Sequence, residues 1–162
     1  MNQSGFLLSD LFTSANVQLN LRSDNRIDVL RELVSYIPEI TSRADLQEKL
    51  LRALQEREQL HSTGVGDGIA LPHARNALVG LVDKPVIVFG RHASGISFGA
   101  IDGKATQLFF LLVAPNVTQH LAMLARVSRL LRDPKLRQNL LAVTDAEKTI
   151  ALIGEAETKM SK

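Results

Sequence analysis

The chain contains no cysteine and no tryptophan, and only 4% of its residues are aromatic. The absence of cysteine excludes a disulfide framework, a thiolate metal site and a catalytic thiol. The scarcity of aromatic rings argues against a surface on which the bases of single-stranded nucleic acid could stack. Histidine is the remaining side chain best suited to acid–base work near neutral pH, and the chain has four.

The sequence also lacks a strong excess of one charge and a long hydrophobic run. Lysine and arginine number 19 and aspartate and glutamate 17, so the formal net charge is +2. This balance does not by itself indicate a nucleic-acid-binding protein. The longest apolar run, 108–114, is far shorter than the roughly 20 residues that span a bilayer. The first ten residues do not predict a secretion signal, so we expect a cytoplasmic protein.

What is present is an ordinary globular composition. The 162 residues, 45% hydrophobic and 22% charged, are typical of one domain. A domain of this size buries about 70% of the surface that its unfolded chain exposes. We expect the domain to span 8–153, with flexible tails at 1–7 and 154–162.

Hydrophobic periodicity predicts strands and helices in a layered α/β domain. The predicted strands are 17–21, 85–92, 106–114 and a short one at 96–98. The first predicted helix is capped by Ser23 or Asp24 and ends at 37, and the second runs from 41 or 42 to 57. The third follows a cap at Asn116, and the last two span 135–142 and 145–153. Ile27 and Leu121 are predicted on buried helix faces, and Gln119 completes a capping box with Asn116.

His73 lies in the most unusual part of the sequence. Glycines at 64, 66 and 68 allow left-handed or very closely packed backbone before it, and Pro72 restricts the backbone on both sides. Such a loop can present N–H groups to an anion, and histidine is a good nucleophile. A surface histidine after a glycine-rich loop is an equally good interpretation of these residues alone.

His120 and Arg57 are two further candidates. His120 falls in the first turn of the predicted helix after Asn116, where free N–H groups and a partial positive charge favour an anion. Without the other candidates, the simplest interpretation of His120 is an exposed imidazole at the start of a capped helix. Arg57 ends the second predicted helix, immediately before the glycine loop, and its guanidinium could reach an anion held there. Most arginines in such places are solvated.

The remaining histidines have no comparable context. We predict structural roles for His61 as a loop residue and for His92 at a strand end. Asp67 could accept a hydrogen bond from an imidazole and set its tautomer. The basic series is most simply a solvated face, with docking of an acidic protein as the other interpretation; it comprises Arg126, Arg129, Arg132, Lys135 and Arg137.

Common motifs do not account for this region. Gly64-x-Gly66-x-Gly68 matches neither a dinucleotide fingerprint nor a phosphate-binding P-loop, and no lysine follows it. The run 95–99 (GISFG) has the letters of Gly-x-Ser-x-Gly, but we interpret the segment 94–97 as a turn rather than as a nucleophile elbow. The histidines lack metalloprotease spacing. We therefore predict neither a cofactor nor a metal site.

A longer pattern resembles a known family. Glu58, six further residues and then the run 65–74 (VGDGIALPHA) resemble the phosphohistidine signature of phosphotransferase-system enzyme IIA domains of the fructose/mannitol type. The stretches 96–104 and 108–115, with His120 and Leu121 after them, resemble the nitrogen-regulatory branch. Ala74-Arg75 departs from the Gly-Lys common in that branch. The resemblance covers roughly 8–153.

The resemblance implies a three-layer α/β/α sandwich with a mixed sheet. It also implies that His73 takes a phosphoryl group from the phosphocarrier HPr or its nitrogen-branch homologue NPr, and that His120 and Arg57 surround that group. Nitrogen-branch members regulate partner proteins, such as potassium-transport components and kinases, according to phosphorylation state. Sugar-transporting members pass the group to an enzyme IIB domain.

Three functions therefore stay open. The first is a nitrogen-branch phosphocarrier and regulator, and the second is a sugar-specific IIA component serving a separate permease. The third, from another class, is a protein-binding module that keeps the fold without being phosphorylated. In the first, we expect cationic and apolar surface around His73, from Arg57, Arg75, Leu71 and Leu78.

Overall fold

The computed structural model describes residues 7–75 and 80–160. Leu78, expected beside His73, and most of the predicted N-terminal tail lie outside this part of the chain. The described strands are β1 (Val17–Gln18), β2 (Gly64–Gly66), β3 (Ile69–Ala70), β4 (Val86–Ile96) and β5 (Thr106–Val113). The α-helices are α1 (Arg26–Ser35), α2 (Ala44–Leu60), α3 (Val117–Leu130), α4 (Pro134–Ala142) and α5 (Ala146–Met160).

The five strands form one mixed sheet in the order β1-β4-β5-β3-β2. The central pair β4 and β5 is antiparallel, and each is flanked by a parallel neighbour, β1 and β3 respectively. β2 extends the sheet antiparallel to β3. The long buried strands at its centre were predicted by their β-branched and aromatic runs.

Helices cover both faces of this sheet and create two cores. Side chains alternate across the central strands, so Val88 and Phe109 face α1 and α2. Phe89 and Phe110 face α3, α4 and α5. The predicted α/β/α sandwich is confirmed.

Gly90 of β4 leaves room for leucine side chains between α1 and the sheet. A Cβ atom placed at Gly90 would come 2.8 Å from side-chain atoms of both Leu21 and Leu33. Real Cβ atoms do not approach so closely, so a larger residue would force these leucine side chains to shift.

Several predicted boundaries and faces are wrong. Helix α1 is capped by Asn25, whose side chain accepts from the N–H of Asp28, rather than by Ser23 or Asp24. The side chains of Ile27 and Leu121 are exposed, because each helix has a narrower buried stripe than periodicity indicated. Helix α2 continues past the predicted end at 57.

The C-terminal helix corrects the predicted tail. α5 does not end at 153 but continues to Met160. Glu157 lies in this extension, is only 1% exposed, and accepts the backbone N–H groups of Leu8 and Ser9 at 2.5 and 2.9 Å. Its carboxylate also lies 3.5 Å from the guanidinium of Arg126. These contacts hold the N-terminal and C-terminal segments together.

Candidate functional site

The glycine-rich segment forms a tight hairpin at the edge of the sheet. Gly66, Asp67 and Gly68 all have positive φ, at 96°, 58° and 77°, which confirms the left-handed backbone predicted for two of these positions. Gly64 is packed so closely that a Cβ atom would lie 3.0 Å from Ala100. The hairpin turns the chain back along β5 towards His73.

The backbone of His73 is held against the sheet. Beyond β3 the chain continues beside β5, since the N–H of Leu112 donates to the Pro72 carbonyl at 3.0 Å and His73 forms a parallel bridge with Leu112. His73 therefore stands at a well-supported position where the extended chain leaves the sheet. Its side chain is half-buried.

One hydrogen bond decides the tautomer of His73. Its Nδ1 lies 2.6 Å from the backbone carbonyl oxygen of Leu71. A carbonyl oxygen only accepts, so Nδ1 must carry the hydrogen. In the neutral ring the lone pair is then on Nε2. The imidazole is held as a nucleophile through Nε2.

Asp67, the predicted partner of an imidazole, is engaged elsewhere. Its carboxylate lies 4.0 Å from the guanidinium of Arg137, and its N–H donates to Asp102 at 3.0 Å. Asp67 does not set the tautomer of His73, because the acceptor is a backbone carbonyl, that of Leu71, which no side-chain pattern marks. The N–H of Gly64 is also taken, by the hydroxyl of Ser62 at 2.9 Å. These two loop amides are therefore not free to bind an anion.

The surroundings of His73 keep its ring neutral. Burial is the largest influence and lowers the pKa of His73, whereas the bond to Leu71 raises it. The charge of Arg57 and the nearby His120 lower the pKa further. The net direction is downward from the ordinary value, so the ring is unprotonated and nucleophilic at neutral pH.

His120 lies beside His73. The Asn116 side chain caps α3 by accepting from the N–H of Gln119 at 2.9 Å, which confirms the predicted cap. This places His120 in the opening turns, with its ring centroid 5.5 Å from that of His73 and the ring planes tilted by 54°. The imidazole is 7% exposed rather than freely solvated, and burial lowers the pKa of His120.

Arg57 brings a positive charge to the same place. It lies in the last turn of α2, and its Nη1 donates to the carbonyl of His61 just beyond the helix end. The positive charge of Arg57 lowers the pKa of His73. Arg57 and Arg75 line one surface hollow of about 450 Å³. Three elements distant in sequence thus bring His73, His120 and Arg57 together.

The other histidines are placed outside this cluster. His61 is an exposed loop residue whose carbonyl orients Arg57. His92 is not at a strand end, since β4 continues to Ile96. It is buried, its Nδ1 accepts from the N–H of Gly95 at 3.0 Å, and its Nε2 lies 3.7 Å from Asp24. His92 stabilises the bulge in β4.

The basic series is not one uniform solvated face. Arg126 lies near the buried carboxylate of Glu157, and Arg137 donates to the carbonyl of Leu131 at 2.7 Å. The side chains of Arg126 and Arg137 are 25% and 19% exposed. Both therefore help to hold the helices together.

In residues 7–75 and 80–160, no three or more side chains of the metal-binding types are grouped closely enough to hold an ion. No helix in the same part of the chain is both long and apolar enough to cross a membrane.

Comparison with curated proteins gives relatives of two kinds. A nitrogen regulatory protein from Bradyrhizobium diazoefficiens is 32% identical over 142 residues, which are 86% of this chain and 90% of that protein. The fructose-specific EIIABC component of the phosphotransferase system of Bacillus subtilis is 32% identical over 150 residues, or 91% of this chain. The match covers only 23% of the length of that Bacillus protein.

The fold and the family agree with these relatives. The crystal structure of the nitrogen regulatory protein IIA-Ntr from Neisseria meningitidis superposes with a TM-score of 0.79 at 28% identity, covering 90% of this chain and 98% of that one. The family model described as phosphoenolpyruvate-dependent sugar phosphotransferase system, EIIA 2, matches residues 10–156. With nearly the whole chain matched, the resemblance to this family is confirmed, and the protein belongs to the EIIA 2 family of this phosphotransferase system.

Proposed function

We propose that this protein is a phosphocarrier and regulator of the nitrogen branch. It accepts a phosphoryl group from the phosphohistidine of HPr or NPr onto Nε2 of His73, and its phosphorylation state controls the binding of partner proteins. The observation that carries the proposal is the bond from Nδ1 of His73 to Leu71, since it leaves the Nε2 lone pair available beside His120 and Arg57. We expect the transfer to take place in the cytoplasm.

The proposed transfer is an in-line displacement at phosphorus. The Nε2 lone pair of His73 forms a bond to phosphorus in line with the breaking N–P bond of the donor, whose imidazole takes back the electron pair. In such reactions the charge is spread over the equatorial oxygens, so positioning and electrostatic stabilisation provide most of the catalysis. We propose that Arg57 and His120 stabilise those oxygens. As positive charge develops on the ring of His73, the carbonyl of Leu71 stabilises it through the Nδ1 hydrogen.

The regulatory role has support from two similarities. The Bradyrhizobium relative, named a nitrogen regulatory protein, matches over most of its own length. The Neisseria structure, also a nitrogen regulatory protein, is covered almost completely. Proteins of nitrogen or potassium metabolism are the partners that we expect.

A sugar-specific role is the second candidate. The Bacillus relative is a fructose-specific component, and an EIIA domain of that type would pass the phosphoryl group to a separate IIB domain. A module that binds proteins without being phosphorylated is the remaining alternative.

One reconstitution experiment separates the three. The protein is incubated with phosphoenolpyruvate and enzyme I, with either HPr or NPr as carrier, and its intact mass is followed beside that of His73→Ala. We expect wild type, and not the variant, to gain one phosphoryl group. Rapid transfer onward to an added IIB domain would favour the sugar-specific role. No gain with either carrier would leave the binding module.

A further inference from the structure

One buried acid in the motif has no role in the transfer described above. Glu58 is the first residue of the matched pattern, next to Arg57 in the last turn of α2. It is only 6% exposed. Burying a carboxylate away from water costs free energy unless hydrogen-bond donors compensate the loss of hydration. The donors that contact Glu58 therefore indicate which part of the structure it stabilises.

The carboxylate of Glu58 binds one residue through both of its oxygens. Oε1 accepts the backbone N–H of Thr63 at 3.0 Å, and Oε2 accepts the hydroxyl of the same residue. Thr63 is itself 2% exposed. The end of α2 is thereby clamped to the residue that precedes the β2–β3 hairpin.

Thr63 in turn holds the residue that decides the tautomer of His73. The N–H of Leu71 donates to the Thr63 carbonyl at 3.0 Å. The carbonyl of Leu71 then accepts from Nδ1 of His73 at 2.6 Å. A continuous series of hydrogen bonds therefore runs from the Glu58 carboxylate to the imidazole.

We propose that Glu58 is a positioning residue for His73, acting through Thr63 and Leu71. It holds the Leu71 carbonyl where it keeps the hydrogen on Nδ1 and the lone pair on Nε2. Hydrogen-bonded partners of this kind fix the tautomer and orientation of functional histidines in other sites. Only the expected effect on rate rests on the proposed phosphocarrier function; the effect on the tautomer does not.

Two substitutions distinguish the effect of the negative charge of Glu58 from the effect of its hydrogen bonds. Glu58→Met keeps an unbranched side chain and removes both acceptors. In Glu58→Gln, Oε1 can still accept the N–H of Thr63, while the amide N–H can donate to the Thr63 hydroxyl, which both donates and accepts. We therefore expect Glu58→Gln to behave like wild type. Glu48→Met is the matched control, because Glu48 lies on the same helix in an exposed ion pair with Arg31.

The main readout is the protonation of His73 itself. ¹⁵N-resolved NMR reports which ring nitrogen carries the hydrogen, and a pH titration follows its pKa. We expect Glu58→Met to populate the Nε2-H tautomer and to lower the pKa of His73 further, since the bond to Leu71 raises it. The rate of phosphorylation should fall by up to ~10²-fold, the cost of misplacing a reacting group by about 1 Å. Glu58→Gln and Glu48→Met should leave all three quantities close to wild type.

Clear outcomes would overturn the proposal. A folded Glu58→Met with the wild-type tautomer and pKa of His73 would show that Glu58 does not position the ring. If Glu58→Met does not fold, Thr63→Val decides, because it removes one of the two donors that Glu58 binds and should shift the same NMR signals less strongly. Unchanged signals in Thr63→Val would then overturn the proposal. If wild type is not phosphorylated but the tautomer shifts as expected, the proposed function fails and the positioning role stands.

Discussion

At the scale of single residues, one hydrogen bond leaves Nε2 of His73 as the ring nitrogen with a free lone pair. The Leu71 carbonyl accepts from Nδ1 of His73, and burial together with Arg57 and His120 lowers the pKa of the ring. The imidazole is thus oriented and neutral. The proposed transfer would then need little reorganisation, which is the condition under which fixed groups are most effective.

Arg57 and His120 are predicted to assist transfer without receiving the phosphoryl group. Arg57→Ala and His120→Ala should each fold and be phosphorylated ~10²–10³-fold more slowly, as in comparable sites that lose one positioned donor. Single-turnover phosphorylation by the preloaded carrier measures this, with circular dichroism as the check on folding. Wild-type rates in both variants would mean that neither side chain supports the reaction.

The two neighbouring imidazoles should also make the fold sensitive to acid. Both His73 and His120 have a pKa below the ordinary value of 6.5 in the folded protein, chiefly through burial. The unfolded chain therefore binds more protons between the folded and unfolded pKa values. Stability should be complete above about pH 6.5 and should fall as the pH drops through this window.

Urea unfolding at several pH values tests this linkage. The double variant His73→Gln/His120→Gln removes both titrating groups, so its free energy of unfolding should depend less steeply on pH below about 6.5 than that of wild type. Identical slopes for the two proteins would show that these rings titrate equally in the folded and unfolded chains.

Sequence reasoning selected the side chains of the candidate site but not how they are arranged. His73, His120 and Arg57 each carried a local signal: a glycine-proline loop, a helix start and a helix end. The Leu71 carbonyl had no such signal, because every residue has a backbone oxygen and the sequence does not show which one accepts a hydrogen bond. For the same reason Asp67 was proposed in its place.

At the scale of elements, a helix cap could be predicted from the sequence where its donor and acceptor are close along the chain. Asn116 caps α3 by accepting from the N–H of Gln119, three residues along, as predicted. The capping box itself is incomplete, because the Gln119 side chain accepts from the Asn116 side-chain amide rather than from its backbone N–H. The continuation of α5 was not predicted, because Glu157 binds N–H groups of Leu8 and Ser9, about 150 residues away in the chain. A polar C-terminal stretch resembles a tail until its distant partner is known.

Glu157 is accordingly predicted to contribute to stability. Glu157→Ala leaves the buried N–H of Leu8 without this acceptor, which should lower the free energy of unfolding by about 1–3 kcal/mol. Thermal or urea unfolding measures the loss, and Glu155→Ala on the same helix is the control. A loss within about 0.5 kcal/mol, the usual range for surface changes, would contradict a clamping role.

At the scale of the whole molecule, the layered fold holds a half-buried His73 beside the end of the sheet. The sheet and its two cores support the site from beneath, and Arg57 and Arg75 provide cationic surroundings. Leu71, expected to add apolar surface, is 3% exposed and belongs to the core. The unbroken apolar runs of the central strands were sufficient to predict a sheet covered by helices, since a strand buried on both faces is hydrophobic along its whole length. The three-layer arrangement was expected from the family resemblance.

Phosphorylation is predicted to act on partners through charge alone. It would add roughly two negative charges at His73, and a partner docked there must desolvate them or supply new cations, at a cost of several kcal/mol if they are poorly matched. We expect at least one partner to bind the unmodified form at least tenfold more tightly, about 1.4 kcal/mol. Pull-downs with wild type, His73→Ala and His73→Glu, followed by affinity measurements with enzymatically phosphorylated protein, test this. Equal affinities for every partner would favour the plain sugar-carrier role.

The central claim is that one atom, Nε2 of His73, receives the phosphoryl group. The most direct test is ¹⁵N and ³¹P NMR of uniformly ¹⁵N-labelled protein phosphorylated from phosphoenolpyruvate, with His73→Ala as the control. The account predicts a single phosphohistidine, in which phosphorus couples to Nε2 of His73 and Nδ1 keeps its hydrogen. Coupling to Nδ1, or an undiminished phosphohistidine signal in His73→Ala, would contradict it.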